Sequence, residues 1–191
     1  CFIAAVLVAA LSGALLGVAA ARLSGPYLAG TTLALAIALP SLATQFSILG
    51  NGQPLDFLVG PDDLSNYKWQ FWIAALAALI SMWTIRNILN SSYGRAWKAG
   101  RGNEVAAELA GINTARSKVL AFTISAGIAG LAGALLAMTT GGPSPDAFPL
   151  AISFSLLTGA VLAGITTLGG VIIGAVVLVA IPDLADVVAN R

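Results

Sequence analysis

Several long stretches of this sequence carry no ionisable side chain, and this feature limits the fold most strongly. The first stretch, Cys1–Ala21, is uninterrupted and apolar, and about 20 such residues cross the hydrocarbon core of a membrane as a helix. Only 9% of the residues are charged and 58% are hydrophobic, whereas soluble domains carry about 25% charged residues. These values exclude a water-soluble protein and also a disordered chain, which needs high charge and low hydrophobicity.

Apolar runs recur along the chain and predict an all-α fold, a polytopic transmembrane helix bundle in one domain over residues 1–191. The predicted spans cover about 1–21, 27–49, 69–89, 119–140, 150–163 and 171–181. The last two are short and flank glycine-rich sequence, so they form a helical hairpin, a re-entrant pair or one broken helix. Because the chain begins at Cys1, inside apolar sequence, we expect a fragment that lacks N-terminal helices.

The positive charges predict the orientation of the bundle. Six of the nine lie in or beside residues 90–118, namely Arg86, Arg95, Lys98, Arg101, Arg116 and Lys118. The loops at 50–67 and 141–149 contain aspartates and no Lys or Arg. Since cytoplasmic loops carry the excess of positive charge, we expect residues 90–118 to be cytoplasmic and the two acidic loops to lie outside.

The residue types that the sequence lacks exclude several functions. The sequence has no histidine and only one cysteine, so an intrachain disulfide, a thiolate cluster and an intramembrane metalloprotease are excluded. No phosphate-binding Gly-x-x-x-x-Gly-Lys-Ser/Thr motif is present. Ionisable residues are absent from the middle of the predicted spans, which argues against a proton-driven carrier but leaves sodium coupling open.

A short amphipathic helix is predicted within the polar segment, over residues 103–112. Asn103 is a typical N-cap and Gly111 suits the left-handed residue that ends a helix. Val105 and Leu109 lie four residues apart and share one face. Two turns are not stable alone in water, so this helix lies on the membrane surface as a connector or is bound by a partner protein.

The residues around this helix resemble a known family. The chain resembles permease subunits of bacterial ABC importers for branched-chain amino acids. The residues that carry this resemblance are Gly94–Phe122, Ser125–Ala134, Ser144–Phe148 and the glycines of 164–174. The order and spacing resemble the M-type of the two permease subunits more than the H-type. Gly100 and Gly102 stand where the family has larger residues.

The resemblance implies a role for the loop helix in coupling to an ATPase. It implies these coupling residues: Glu104, Val105, Ala106, Ala107, Glu108, Leu109 and Gly111. Glu104 and Glu108 are expected to be available to basic groups of the partner. The chain itself would bind no cofactor, because ATP and Mg would be held by the partner ATPase.

The resemblance also implies the surroundings of the chain. The expected partners are cytoplasmic ABC ATPase subunits, a second permease subunit in a heterodimer, a periplasmic solute-binding protein and the lipid bilayer, without nucleic acid. The expected location is the bacterial inner membrane, crossed several times, and the chain would be a transport subunit and not an enzyme.

Polar side chains within the spans are candidates for lining the solute path. They are Thr31, Thr32, Ser41, Thr44, Gln45, Ser153, Ser155 and Thr158. Such hydroxyls also bond backbone carbonyls in spanning helices, so both roles remain open. Related permeases for urea and short-chain amides or for simple sugars, a sodium-coupled secondary transporter and a scaffolding subunit are the alternative functions.

Small residues recur at four-residue spacing in several spans and predict close helix packing. These pairs and ridges are Gly13 with Gly17, Ala126 with Gly130 and Ala134, and Gly170 with Gly174.

Overall fold

The computed structural model of the chain describes residues 2–22, 26–45, 66–139, 150–164 and 168–189. Within these residues the backbone forms helices and no strand, so the predicted all-α class is confirmed. In chain order the helices are α1 (Phe2–Arg22), α2 (Pro26–Gln45), α3 (Asn66–Asn90), α4 (Ser92–Gly102), α5 (Glu104–Leu109), α6 (Thr114–Thr139), α7 (Leu150–Ala163) and α8 (Leu168–Ala189). The predicted loop at 141–149 and most of the loop at 50–67 lie outside the described residues.

Within the described residues, three helices are long and apolar enough to cross a membrane. The spanning segments are Phe2–Ala21, Lys68–Asn90 and Thr114–Thr139. Their large apolar side chains point outward, with Leu15 76% and Leu79 67% exposed. Since water would disfavour so much exposed apolar surface, the outside of these helices suits lipid or other membrane helices. The chain is therefore a helical membrane protein.

The chain divides into two compact units, Cys1–Ala147 and Phe148–Arg191. In the first unit α1 and α6 are antiparallel neighbours in very close contact. A methyl group at Gly13 would lie 2.8 Å from the carbonyl oxygen of Phe122, and one at Gly17 would lie 2.9 Å from the Cα atom of Val119. Because only glycine fits at these positions, the predicted close packing of the Gly13 and Gly17 pair is confirmed.

The same interface continues toward the other end of the two helices. A methyl group at Gly130 of α6 would lie 2.9 Å from the carbonyl oxygen of Ala5 and would also collide with the side chain of Ala9. Early residues of α1 thus face late residues of α6. The end of α1 consequently lies beside the start of α6, on the same side of the bundle, as the predicted orientation requires.

In the second unit α7 and α8 fold back on each other. The helix α7 ends before Gly164, which adopts a φ of +80°. A methyl group at Gly159 would lie 2.6 Å from the Cγ atom of Leu178, whereas one straight helix would separate these residues by about 28 Å. Of the three alternatives for this region, a broken helix whose two parts continue in one direction is therefore ruled out. Gly170 and Gly174 of α8 are buried.

The helix α4 was not expected from the sequence, and it follows a sharp corner after α3. The amide of Ser91 donates to the carbonyl of Ile88 at 3.0 Å, and the hydroxyl of Ser91 donates to the same oxygen at 2.6 Å. Gly94 is buried against α3, because a methyl group there would lie 2.6 Å from the Cα atom of Leu89. The corner directs α4 away from the axis of α3.

Candidate functional site

The predicted loop helix exists as α5, and its first turn is capped as the sequence indicates. The side-chain oxygen of Asn103 accepts a hydrogen bond from the amide of Ala106 at 3.1 Å. Glu104 follows directly, where a carboxylate interacts favourably with the positive end of the helix dipole. The sequence therefore determines where α5 begins.

The end of α5 depends on Gly111, which has a φ of +84°. The amide of Gly111 donates to the carbonyl of Glu108 at 2.9 Å, and the amide of Ile112 donates to the carbonyl of Ala107 at 3.0 Å. This pair of bonds is the Schellman arrangement, which needs a residue in the left-handed conformation. Gly111 thus ends α5 and turns the chain toward α6.

The acidic side chains of α5 bind to the start of α6. Glu104 Oε1 forms an ion pair with Lys118 Nζ at 2.7 Å, and the hydroxyl of Thr114 donates a short hydrogen bond to Glu108 Oε1. Both carboxylates expected to be available to a partner thus already have partners within the chain. The reason is that α6 begins at Thr114, earlier than the predicted span at 119–140, so that its first turns carry polar residues up to α5.

One face of α5 is not covered by any of the residues that the structure describes. Val105 is 67% exposed and Leu109 is 85% exposed, whereas Ala107 on the opposite side is only 4% exposed. Ala107 and the two carboxylates therefore hold α5 against the rest of the chain. The apolar side chains that the sequence placed on one face point away from the rest of the chain.

The helix α4 also contacts the start of α6. The indole Nε1 of Trp97 donates to the carbonyl of Ser117 at 2.8 Å, across 20 residues of sequence. Between α4, α5 and the start of α6 lies a cavity of about 260 Å³, lined among others by Trp97, Arg101 and Lys118. The loop is thus a small folded body and not a loose connector.

Three residues important for this body were missed by the sequence reasoning. They are Trp97, Thr114 and Lys118, which hold α4 and α5 to α6. The alternation of basic residues with Ala96, Trp97 and Gly100 was a signal for an amphipathic α4. No comparable signal identifies the contacts of Thr114 and Lys118, because these depend on where α6 begins.

The candidate path residues lie on two helices of different units. Thr31 and Thr32 are on α2, and Ser153, Ser155 and Thr158 are on exposed positions of α7. The hydroxyl of Thr158 donates to the carbonyl of Ser155 at 2.8 Å, which is the backbone role left open from the sequence. The side chains of Ser41, Thr44 and Gln45 lie outside the described residues, so the solute path stays a prediction.

Comparison with known proteins gives a consistent set of relatives. The sequence profile described as "Branched-chain amino acid transport system / permease component" matches residues 1–191. The chain is 34% identical to the high-affinity branched-chain amino acid transport system permease protein LivM of Salmonella typhimurium, over 96% of this chain and 50% of that protein. It is 32% identical to LivH of the same organism over 74% of this chain and 44% of that protein.

More distant matches include transporters of other solutes. The chain is 32% identical to the xylose transport system permease protein XylH of Haemophilus influenzae, over 64% of this chain and 33% of that protein. The chain spans about half the length of the LivM proteins that it matches. No solved structure matches it. The stronger resemblance to the M-type than to the H-type is confirmed, because the LivM match covers more of the chain at slightly higher identity.

Proposed function

Since the chain belongs to the family of permease components of branched-chain amino acid transport systems, we propose that it forms part of the translocation path of an ATP-driven importer. The substrates would be branched-chain or related amino acids. The chain would cross the bacterial inner membrane several times, with the body formed by α4, α5 and the start of α6 in the cytoplasm. The names of the relatives and the charge distribution support this proposal.

The observation that carries the coupling part of the proposal is the exposed face of α5. Val105 and Leu109 are large, apolar and exposed on a helix too short to be stable alone. A helix that presents anchors at i and i+4 to solvent is suited to a groove on another protein. We therefore expect a cytoplasmic ATPase subunit to bind α5 at this face, with Ala106 allowing close approach beside the anchors.

The proposal also specifies what the chain itself does not do. ATP and Mg would be bound and hydrolysed by the ATPase, while this chain transmits movement through α5 to α6. The direct contacts of Glu104 and Glu108 with α6 support such transmission, because they join the docking helix to a spanning helix. A second permease subunit would complete the path, and a periplasmic solute-binding protein would deliver the solute.

The test of coupling is a polar replacement of similar size at the most exposed anchor. Leu109→Gln in the full-length permease should weaken ATPase binding by roughly thirtyfold, since buried anchors at interfaces contribute about 2 kcal/mol or more. The matched control is Leu109→Met, which keeps an apolar side chain and should bind within about twofold of the wild type. Association is measured with the purified ATPase subunit, and ATP-dependent uptake is measured in proteoliposomes.

Equal binding of the wild type and Leu109→Gln would contradict the assignment of α5 as the ATPase contact. The substrate class needs a separate measurement with the complete transporter. Radiolabelled leucine, isoleucine, valine, xylose and urea are offered to vesicles with and without ATP, and with and without a sodium gradient. We expect ATP-dependent accumulation of the branched-chain amino acids, and uptake driven by sodium alone would overturn the importer assignment.

The path residues remain part of the same proposal. Thr31, Thr32, Ser153, Ser155 and Thr158 are the described candidates, whereas Ser41, Thr44 and Gln45 are retained from the sequence alone. Replacement of each hydroxyl residue by alanine or valine should change the KM for the solute without reducing basal ATP hydrolysis.

A further inference from the structure

One face of α3 changes in polarity along its length, toward the corner with α4. Leu76, Leu79, Trp83, Arg86 and Asn90 follow one another at spacings of three and four residues and therefore share this face. The two leucines are 60% and 67% exposed and Trp83 is 68% exposed. The face thus runs from aliphatic through aromatic to cationic and polar residues.

The dimensions of this face match half of a bilayer. Leu76 and Arg86 are ten residues apart, which is about 15 Å along a helix, or half of the roughly 30 Å hydrocarbon core. Lys68 and Arg86 are about 27 Å apart and bracket the apolar part of the helix. With Arg86 at the boundary of the hydrocarbon, Leu76 lies near the midplane and Trp83 lies where tryptophan is enriched in membrane proteins.

The corner adds a second guanidinium to the cationic end of the face. The Nη1 atom of Arg95, in the first turns of α4, donates to the carbonyl oxygen of Asn90 at 3.4 Å. Arg86 lies one turn before Asn90 on the same face of α3 and is exposed. Neither arginine forms an ion pair with a carboxylate in the part of the chain that the structure describes. Most of their ten N–H donors are therefore available.

We propose that this corner binds the headgroup of an anionic phospholipid in the cytoplasmic leaflet. Arg86 and Arg95 contact the phosphate, which guanidinium groups recognise through paired hydrogen bonds. One acyl chain lies along Leu79 and Leu76, and Trp83 lies at the level of the glycerol. This proposal depends on the chain being a membrane protein and not on the transported solute.

The order of residues favours a lipid over a protein partner. A phospholipid presents hydrocarbon, ester and phosphate at increasing distance from the midplane, and α3 presents leucine, tryptophan and arginine in the same order and over the same length. An anionic lipid is attracted to such a cationic end by the surface potential of the cytoplasmic leaflet as well as by direct contacts. Since each basic residue near an anionic membrane surface contributes about 1 kcal/mol, loss of one arginine should weaken binding about fivefold.

The test compares arginine pairs in the assembled full-length transporter. Purified complex is titrated with phosphatidylglycerol or phosphatidylcholine, and bound lipid is counted by native mass spectrometry. Arg86→Gln with Arg95→Gln should lower the affinity for phosphatidylglycerol by more than about tenfold and leave phosphatidylcholine unchanged. The matched control, Lys98→Gln with Arg101→Gln, removes the same charge from exposed positions further along α4 and should change the affinity by less than about twofold.

The other outcomes each overturn the proposal. An equal loss in both double variants would mean that only the total charge matters, and an unchanged affinity would mean that the lipid binds elsewhere. Loss of a protein subunit from the Arg86 and Arg95 variant, with lipid binding retained, would assign the corner to a protein contact. If the double variant does not assemble, the single variants Arg95→Gln and Arg101→Gln make the same comparison, with about fivefold weaker binding expected for the first alone.

Discussion

The interface between α1 and α6 and the body around α5 are held together in different ways. Gly13, Gly17 and Gly130 bring the backbones of α1 and α6 into contact, and the contacts identified there are made by carbon atoms and backbone. The helix α5, in contrast, is fixed by an N-cap, a Schellman turn, an ion pair and a hydrogen bond to Thr114. Shape determines the first contact and individual polar groups determine the second.

The difference follows from the solvent of each region. Between spanning helices the hydrophobic effect supplies no net attraction, because lipid tails are as apolar as the side chains, so association depends on a close fit. Around α5 water competes for every polar group, and each bond contributes only about 0.5–1.5 kcal/mol. The first region should therefore resist change as a unit, whereas the second can adjust one bond at a time.

The largest effect is expected from filling the close contact between α1 and α6. Gly13→Leu would force a side chain into the backbone of Phe122 and should destabilise the pair by about 3 kcal/mol or more. The matched control is Gly30→Leu in α2, where a methyl group would meet nothing within 4 Å. Thermal stability of the purified full-length protein measures the effect, and similar melting temperatures for the two variants would show that the fit of the glycine is not what joins the helices.

A smaller effect is expected at the end of α5. Gly111→Ala places a Cβ on a residue with a φ of +84°, which should cost about 1–2 kcal/mol and loosen the turn into α6. Gly100→Ala in α4 is the control, because that helical position has open space and alanine is favoured in helices. Hydrogen exchange of the Ile112 amide should become roughly tenfold faster in the first variant only, and unchanged protection would contradict the role of Gly111.

The smallest effect is expected from the ion pair between Glu104 and Lys118. Glu104 is 54% exposed and Lys118 is 34% exposed, so removal of either charge should cost no more than about 1 kcal/mol. A double-mutant cycle of Glu104→Gln, Lys118→Gln and the double variant gives the coupling energy of the pair, with stability measured by hydrogen exchange of the α5 amides. This coupling energy should fall as the salt concentration rises. A coupling energy that is large and independent of salt would mean that this region is as rigid as the α1–α6 interface.

The sequence was sufficient to predict features that depend on composition or on local chemistry. Long apolar runs predicted the three described helices that are long and apolar enough to cross a membrane. Four-residue spacing predicted the packing of Gly13 and Gly17, and the types of Asn103 and Gly111 predicted both ends of α5. Each of these inferences needs only residues close together in the chain.

The sequence was not sufficient where a contact joins distant segments. The bond of Trp97 to Ser117 and the pairing of Glu104 with Lys118 depend on an early start of α6 and on the corner at Gly94. Gly100 and Gly102 have low helix propensity, yet both lie in the helix α4. The weak helix propensity of glycine is overcome there by packing of the apolar side of α4.

The partnership of α1 with α6 has a consequence for synthesis of the protein. Between Arg22 and Thr114 the ribosome must add 91 residues, which takes about 5–20 s. During this interval the glycine face of α1 lacks the α6 surface that it contacts in the folded structure. We therefore expect the nascent chain to keep α1 near the site of insertion, or to shield this face with a transient neighbour, until α6 arrives.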